Sequence, residues 1–139
     1  MSIKKVTIAG IAGGVAAFFL GWLIYGILLM DFMAEHTNTS IMRPESDFIW
    51  WAMIASNLLW GIFLAYVFNR WAAISSLGAG FSGGAIISLF IGLTYSLSFY
   101  AMTTMYNDMT GLAVDIVVGT VMGGIIGAVV GFLLGKIKD

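Results

Sequence analysis

The sequence predicts an all-α polytopic membrane protein: a single domain over residues 1–139, with four transmembrane helices in one bundle and both termini cytoplasmic. Three observations favour this class. The chain is 60% hydrophobic and only 9% charged, whereas a soluble domain is about 25% charged. It contains four apolar stretches long enough for the roughly 20 helical residues that cross the ~30 Å hydrocarbon layer. Its cations are concentrated in segments that would share one side of the membrane.

The four predicted helices account for most of the chain. A signal peptide is the competing interpretation of the first one, but its apolar run of about 25 residues exceeds the roughly 7–15 residues of a signal core. We therefore expect this segment to remain as a membrane helix. The predicted spans are Val6–Met30, Phe48–Phe68, Leu77–Met102 and Leu112–Gly135.

Polar residues predict where the later helices begin, because Ser, Thr and Asp side chains accept hydrogen bonds from the free N–H groups of a first turn. The link around Arg70 is short, which predicts that the second and third helices pack as antiparallel neighbours. The candidate caps are Ser46 or Asp47 for the second helix, Ser75 or Ser76 for the third, and Asp108 or Thr110 for the fourth.

The positive charges predict the orientation. If the helices alternate in direction, five of the six Lys and Arg residues share one face of the membrane, and only Arg43 lies on the other face with most of the acids. An excess of cations marks the cytoplasmic side, so both termini are expected there. The five cations on that side are Lys4, Lys5, Arg70, Lys136 and Lys138.

Glycine recurs at every fourth position of the fourth helix, from Gly119 to Gly135. In water each glycine inside a helix costs roughly 1 kcal/mol relative to alanine. In lipid, small residues instead allow helix backbones to approach closely. Shorter stripes of small residues mark the first and third helices, whereas the second helix is bulky. The residues predicted to pack helices together are Gly13, Gly21, Gly84, Gly92, Gly119, Gly123, Gly127 and Gly131.

The stripes have two interpretations, which the sequence leaves open. They can pack the helices of one chain, or the stripe of the fourth helix can also form the seam of a homo-oligomer. A seam predicts that Gly127→Leu dissociates an oligomer and leaves the monomer folded. The expected partners are accordingly the lipid bilayer and a second copy of the chain or another membrane-complex subunit. No nucleic acid is expected.

Polar side chains at membrane depth define a candidate cavity. By helix rise, Asn57 lies about 15 Å below the start of the second helix, and Asp115 about 7 Å below the start of the fourth. Asp115 is either a helix acid reaching the headgroups or the wall of an outward-facing cavity. Asn57 is either an interhelical hydrogen-bonding group or the floor of that cavity. The candidate cavity residues are Trp22, Tyr25, Asn57, Thr94, Tyr95 and Asp115.

The sequence contains no catalytic or metal-binding pattern. Cysteine is absent, and the single histidine, His36, lies in a polar loop, where we expect a solvated side chain. The chain has neither a pair of membrane histidines for haem nor an HExxH spacing. We therefore expect no cofactor, no metal site and no enzymatic activity.

Two segments carry a family resemblance. The run Phe19–Gly26, which leads into Leu29–Phe32, and the closing run Gly127–Lys136 resemble small bacterial four-helix membrane proteins grouped as domains of unknown function. This resemblance implies a bacterial inner-membrane location and a four-helix layout, and it implies no activity.

Two functional hypotheses follow. The leading one is a non-enzymatic structural or accessory membrane protein whose glycine faces mediate helix and subunit assembly. The alternative is a small transporter, channel or ligand-binding protein with an outward-facing cavity lined by polar and aromatic residues. The aromatic content of 14% also allows a lipid-like ligand such as a quinone or a sterol, although aromatic residues equally fill helix-bundle cores.

Overall fold

The computed structural model describes residues 2–138, and 85% of the chain is helical. No β-strand occurs among these residues; the only strand-like pairing there is an isolated antiparallel bridge between Thr37 and Tyr106. The α-helices of the described chain are α1 (Ile3–Leu23), α2 (Met30–His36), α3 (Trp50–Val67), α4 (Leu77–Met102) and α5 (Met109–Lys136).

Two of the long helices continue into π-helical turns. α1 runs on through Ile24–Leu28 and α3 through Phe68–Ala72, and both turns add to the length of a continuous apolar segment. Four helical segments are therefore long and apolar enough to cross a membrane, as predicted. They are Ile3–Leu28, Trp50–Ala72, Leu77–Met102 and Met109–Lys136.

The predicted third span coincides with α4, and the other predicted limits differ from the observed ones by one to four residues. The caps predicted at Ser76 and Asp108 are confirmed, because these side chains accept hydrogen bonds from the N–H groups of Ala79 and Gly111. The cap predicted for the second helix at Ser46 or Asp47 is wrong. Those residues form a separate 3-10 turn, and α3 begins at Trp50 without a side-chain cap.

The helices pack in the spatial order α3, α1, α5, α4, which differs from their order in the chain. The prediction that the second and third membrane helices pack as neighbours is therefore wrong: α3 and α4 barely touch each other. Their link turns at Ala73, which has a left-handed backbone with φ of 52°. Each of these two helices instead packs on a partner that offers a glycine surface.

Glycines bring α1 and α3 into backbone contact. A Cβ on Gly10 would lie 2.7 Å from the Cα of Ile62, and a Cβ on Gly14 would lie 2.6 Å from the Cα of Leu58. From the other side, a Cβ on Gly61 would collide with the backbone of Gly10. No side chain fits at these positions without separating the helices, so the pair depends on bare backbone surfaces.

The small-residue stripes of α4 and α5 face each other in the same way. A Cβ on Gly127 would collide with the carbonyl oxygen of Gly80, and it would lie 2.9 Å from the Cα of Gly84. A Cβ on Gly131 would lie 2.9 Å from the Cα of Gly80. Gly123 lies against Ser88 one turn further along. The stripes of these two helices are therefore used within a single chain.

The bundle has two distinct ends. Both described termini and the α3–α4 link meet at one end, which we call the terminal end; there the backbone N–H of Ser2 donates to Asn69 Oδ1 at 3.2 Å. The opposite end, which we call the loop end, carries residues 29–49 and 103–108. The fully buried large side chains lie toward the terminal end and close the core there; they are Leu64, Phe68, Val130 and Leu134.

Candidate functional site

A groove of about 260 Å³ lies at mid-depth between the four long helices. We call it the central groove. Each of the four helical segments contributes to its lining, which combines small, apolar and polar side chains. The lining residues are Ala17, Gly21, Tyr25, Asn57, Trp60, Ser88, Gly119, Met122, Gly123 and Ile126.

The groove exists because glycine positions in α1 and α5 are left unfilled. A Cβ on Gly21 or on Gly119 would meet no atom within 4 Å, whereas a Cβ on Gly13 would lie 2.5 Å from a methyl group of Val130. α1 and α5 are thus in close contact toward the terminal end, and they leave space between them toward the loop end. The missing side chains produce a void that ordinary core residues would fill.

The groove is open on the side between α3 and α4. These two helices contribute Asn57 and Trp60 from one side and Ser88 from the other, but they barely touch each other. α1 and α5, which do pack together, form the opposite wall. In a bilayer this side faces acyl chains, because most of the large exposed side chains of α3 and α4 are apolar.

Three polar groups of the lining residues have unused hydrogen-bonding capacity. The hydroxyl oxygen of Ser88 has no partner among residues 2–138, but it is packed against Gly123 and has no surface exposed to the groove. Asn57 donates from Nδ2 to the carbonyl of Met53 at 2.8 Å, and its Oδ1 accepts from none of the described residues. The ring of Trp60 stacks on Phe63 with centroids 5.6 Å apart, and its N–H likewise has no acceptor in the described chain. A buried polar group without a partner is unusual in a native protein.

Two tyrosines hold a carboxylate at the loop end of the groove. Tyr25 donates to Asp115 Oδ1 at 2.6 Å, and Tyr106 donates to Asp115 Oδ2 at 2.5 Å. The hydroxyls of Tyr106 and Ser96 lie 3.3 Å apart. Because a hydroxyl has one proton to give, Tyr106 donates to Asp115 and accepts from Ser96. Both oxygens of this membrane carboxylate are thereby satisfied, and α1, α4 and α5 are joined.

The loop between α4 and α5 positions Tyr106. The backbone N–H of Asn38 donates to the carbonyl oxygen of Met105 at 2.7 Å, and the backbone N–H of Asn107 donates to the carbonyl oxygen of His36 at 2.8 Å. These two bonds lie on either side of the Thr37–Tyr106 bridge. These bonds fix Tyr106 so that its ring is buried, with 7% of its surface exposed. Burial and the hydrogen bond to Asp115 raise the pKa of the Tyr106 hydroxyl to about 12.

His36 takes part in the same loop contact. Its Nδ1 lies 2.7 Å from Asp108 Oδ2, so the expectation of a merely solvated loop histidine is incomplete. The N–H of Gly111 and the His36 ring lower the pKa of the Asp108 carboxyl below its ordinary value. This carboxylate therefore caps α5 and holds the end of α2 against it.

The six candidate cavity residues separate into three groups. Tyr25 and Asn57 line the central groove, and Asp115 bonds to Tyr25 without lining the groove itself. Trp22 and Tyr95 point away, with 55% and 61% of their surfaces exposed, and Thr94 is exposed as well. Of the six, only Tyr25 and Asn57 are therefore placed in the groove lining, because helical rotation turns Trp22 and the Thr94–Tyr95 pair outward. The interhelical bond considered for Asn57 is also absent, since Asn57 donates within its own helix.

Three site residues were missed. Trp60 lies three residues after Asn57, and residues with this spacing share one face of a helix. The position of Asn57 could therefore have indicated Trp60. Ser88 belongs to the small-residue stripe of α4, and that pattern predicts helix packing but not a place in a groove lining. Tyr106 lies outside the predicted spans, so no local pattern links it to Asp115.

The predicted packing glycines also separate into groups. Gly13, Gly84, Gly123, Gly127 and Gly131 lie against other helices, whereas a Cβ on Gly21, Gly92 or Gly119 would meet nothing within 4 Å. The role of these last three in helix packing stays a prediction. Gly21 and Gly119 line the groove, whereas Gly92 has open space beside it and is not part of the lining.

Comparison with known proteins assigns no family and no function to the chain. The chain matches no protein-family model, no curated protein and no solved structure. Within residues 2–138, no three His, Asp or Glu side chains converge as a metal site. The resemblance to bacterial four-helix membrane proteins stays a prediction.

Proposed function

We propose that this protein is a non-enzymatic membrane protein that binds a small amphipathic molecule in the central groove. The single observation that carries the proposal is the 260 Å³ space between the four long helices, where Asn57 Oδ1 and the Trp60 N–H have no partner in the described chain. A space with convergent apolar walls and a few polar groups is the usual form of a ligand site. Asn57 Oδ1 can accept a hydrogen bond and the Trp60 N–H can donate one, so a ligand with a small polar head can use both groups.

The glycine contacts lower the support for an oligomer seam on α5. Gly123, Gly127 and Gly131 are occupied by α4 of the same chain, so they are not free to bind a second copy. Gly127→Leu is accordingly expected to separate α4 from α5 rather than to dissociate an otherwise intact monomer.

A structural or accessory role is the second candidate. It is favoured by Gly92, an α4 glycine with open space beside it that does not line the groove. This position offers a close-approach surface to another membrane helix. If it forms a contact between copies, Gly92→Leu lowers the mass of the complex in native mass spectrometry.

The proposed location is the bacterial inner membrane, with both termini in the cytoplasm. The support is the segregation of cations, which places Lys136 and Lys138 at the terminal end and Arg43 at the loop end. Because the chain has no cysteine, single-cysteine variants report orientation directly. We expect an impermeant maleimide to label Thr39→Cys from the periplasm of intact cells and Lys138→Cys only after lysis. The reverse result would contradict this orientation.

Photolabelling tests occupancy of the groove. The protein is placed in bilayers with trace long-chain probes that carry a diazirine beside the head group, and adducts are assigned to residues by mass spectrometry. Ile126 lines the groove but is only 3% exposed, whereas its neighbour Ile125 is 37% exposed at the same depth. Bulk lipid therefore labels Ile125, and labelling of Ile126 above this reference reports a molecule inside the groove.

Matched variants make that test specific. Gly119→Leu places a side chain in the groove, whereas Gly92→Leu places the same side chain at another open position of a long helix. We expect Gly119→Leu to reduce labelling of Ile126 at least tenfold and Gly92→Leu to preserve it. If the wild-type protein shows no labelling of Ile126 with any probe, the groove does not bind these molecules and the proposal is wrong.

A further inference from the structure

We infer that the terminal end of the bundle is a binding surface for the phosphate headgroups of anionic phospholipids. The inference concerns an outer surface of the protein, so it is independent of the central groove and of the ligand proposed for it. Its support is a group of cations from three parts of the chain, their lack of ionic partners, their depth in the bilayer and an exposed indole. The cations are Lys4, Lys5, Arg70, Lys136 and Lys138.

Packing at the terminal end brings these cations together although they are far apart in the sequence. The backbone N–H of Ser2, at the start of α1, donates to Asn69 in the α3–α4 link. A Cβ on Gly135, at the end of α5, would collide with the carbonyl oxygen of Ser75 in the same link. The link that carries Arg70 therefore contacts both the start of α1 and the end of α5, and cations from all three parts share one surface.

The described chain provides no counter-charge for this surface. The acids among residues 2–138 lie at the loop end or in the second turn of α5, and Asp139 lies outside the described residues. Four of the five cations form no ion pair with any of residues 2–138; they are Lys4, Arg70, Lys136 and Lys138. At the loop end, by contrast, Arg43 lies 4.0 Å from Asp47. Because like charges gathered in one place repel each other, the terminal end is stabilised by anions from outside the chain.

The depth of the cations favours lipid as the source of these anions. α5 has 28 residues and is therefore about 42 Å long, which matches the roughly 40–45 Å of a bilayer with its headgroup layers. Lys136 is the last residue of α5, and its Nζ lies 5.7 Å from the ring centroid of Phe132, one turn toward the membrane interior. The ammonium group is thus directed back toward the bilayer, at a level where lipid headgroups are the available anions.

An exposed indole marks the same level on the α3–α4 link. Trp71 directly follows Arg70 and is 71% exposed, and its ring packs edge-on against Tyr66 with centroids 5.3 Å apart. Tryptophan is enriched at the headgroup level because its ring is apolar and its N–H is polar. A guanidinium group forms paired hydrogen bonds with a phosphate. The link therefore offers Arg70 to the phosphate of a lipid and Trp71 to the adjoining part of its chains.

Quenching of tryptophan fluorescence measures which lipid lies at this surface. Two variants keep one tryptophan each, with Phe at the other four positions: Trp71 at the terminal end, or Trp51 near the loop end. These indoles are matched, because they are 71% and 76% exposed. Both variants are placed in mixtures of phosphatidylglycerol and phosphatidylcholine in which one lipid or the other carries brominated chains. We expect phosphatidylglycerol to be preferred about fivefold or more beside Trp71, as is typical of a cationic cluster at a membrane surface, and not to be preferred beside Trp51.

Substitutions of single cations make the test specific to the surface. We expect Arg70→Gln to lower the preference beside Trp71 by about three- to fivefold, the effect of removing one cation from an anionic membrane surface. Arg70→Lys keeps the charge and should retain most of the preference. Arg43→Gln is the matched control, because it removes a cation at the loop end, and it should leave the preference unchanged.

Native mass spectrometry repeats the test on the protein with all five tryptophans. From an equimolar mixture of the two lipids, we expect more adducts with phosphatidylglycerol than with phosphatidylcholine, and a smaller excess in Lys136→Gln but not in Arg43→Gln. Equal adducts of the two lipids on the wild-type protein would overturn the inference. Equal effects of Arg70→Gln and Arg43→Gln would also overturn it, because the bound lipid would then reflect net charge and not this surface. Neither result affects the proposed ligand of the groove.

Discussion

The hydroxyl of Tyr25 donates a 2.6 Å hydrogen bond to Asp115, a residue 90 positions later in the chain. Tyr25 lies in the π-helical turn that ends the first membrane segment, and Asp115 lies in the second turn of α5. Single π-helical turns inside helices are frequent at functional sites. The bond joins the first and last membrane helices at the loop end of the central groove, where no glycine brings their backbones together.

We expect Tyr25→Phe to destabilise the protein by about 1.5–3 kcal/mol, the usual range for a hydrogen bond to a charged group. Asp115 would keep only the bond from Tyr106. Tyr95→Phe is the matched control, because Tyr95 is 61% exposed and makes no hydrogen bond in the described chain. Reversible unfolding in mixed micelles measures both variants. Equal stability of the two would show that the Tyr25–Asp115 bond contributes nothing.

Alanine substitutions distinguish packed glycines from open ones. Gly127→Ala puts a methyl group into the backbone of Gly80, and overpacking of this kind costs about 1–3 kcal/mol. Gly119→Ala meets no atom within 4 Å and is expected to stabilise α5 by up to about 1 kcal/mol through helix propensity. Thermal unfolding should therefore move in opposite directions for two substitutions of the same type. A shift in the same direction would contradict the assigned contacts.

Ser88→Ala is expected to stabilise the ligand-free protein. The substitution removes a buried hydroxyl that has no partner, and such a group costs about 1–3 kcal/mol. The measurement is unfolding of extensively delipidated protein, compared with the exposed-site control Ser82→Ala. A loss of stability would mean that the hydroxyl is bonded in the native state.

The Tyr106 hydroxyl is expected to lose its proton at a higher pH than an ordinary tyrosine. Its pKa rises from 10.0 to about 12 on folding, so the neutral form is favoured in the native state. The resulting stabilisation is fully present below pH 10 and is lost as the pH rises through 12. Tyrosinate absorbance of the wild type minus that of Tyr106→Phe gives this titration. A midpoint near 10 in the folded protein would show that Tyr106 is neither buried nor bonded to a carboxylate.

Much of the fold follows from local sequence features. Runs of apolar residues long enough for a bilayer predict the four membrane segments, and Ser76 and Asp108 cap α4 and α5 as expected because capping depends on neighbouring residues. The packing order does not follow in this way. The short link at Ala73 indicates that α3 and α4 are neighbours. α3 packs against α1 instead, because Gly10, Gly14 and Gly61 allow the backbones of α1 and α3 to come into contact.

Only part of the candidate site can be predicted from the sequence, because the site also depends on how the helices are arranged in space. Tyr25, Asn57 and Asp115 were found because polar residues at membrane depth are rare. Sequence spacing does not fix the rotation of each helix in the bundle, so it groups Trp22 and Tyr95 with these residues although both face outward. Long-range pairing, such as that of Asp115 with the loop residue Tyr106, leaves no periodic signal in the sequence.

A crystal structure of the protein grown from a lipid mesophase tests the central claim most directly. The account predicts an elongated non-protein density in the central groove, with one end within hydrogen-bond distance of Asn57 Oδ1 or the Trp60 N–H. A groove filled by its own side chains, with α3 packed against α4, would contradict it.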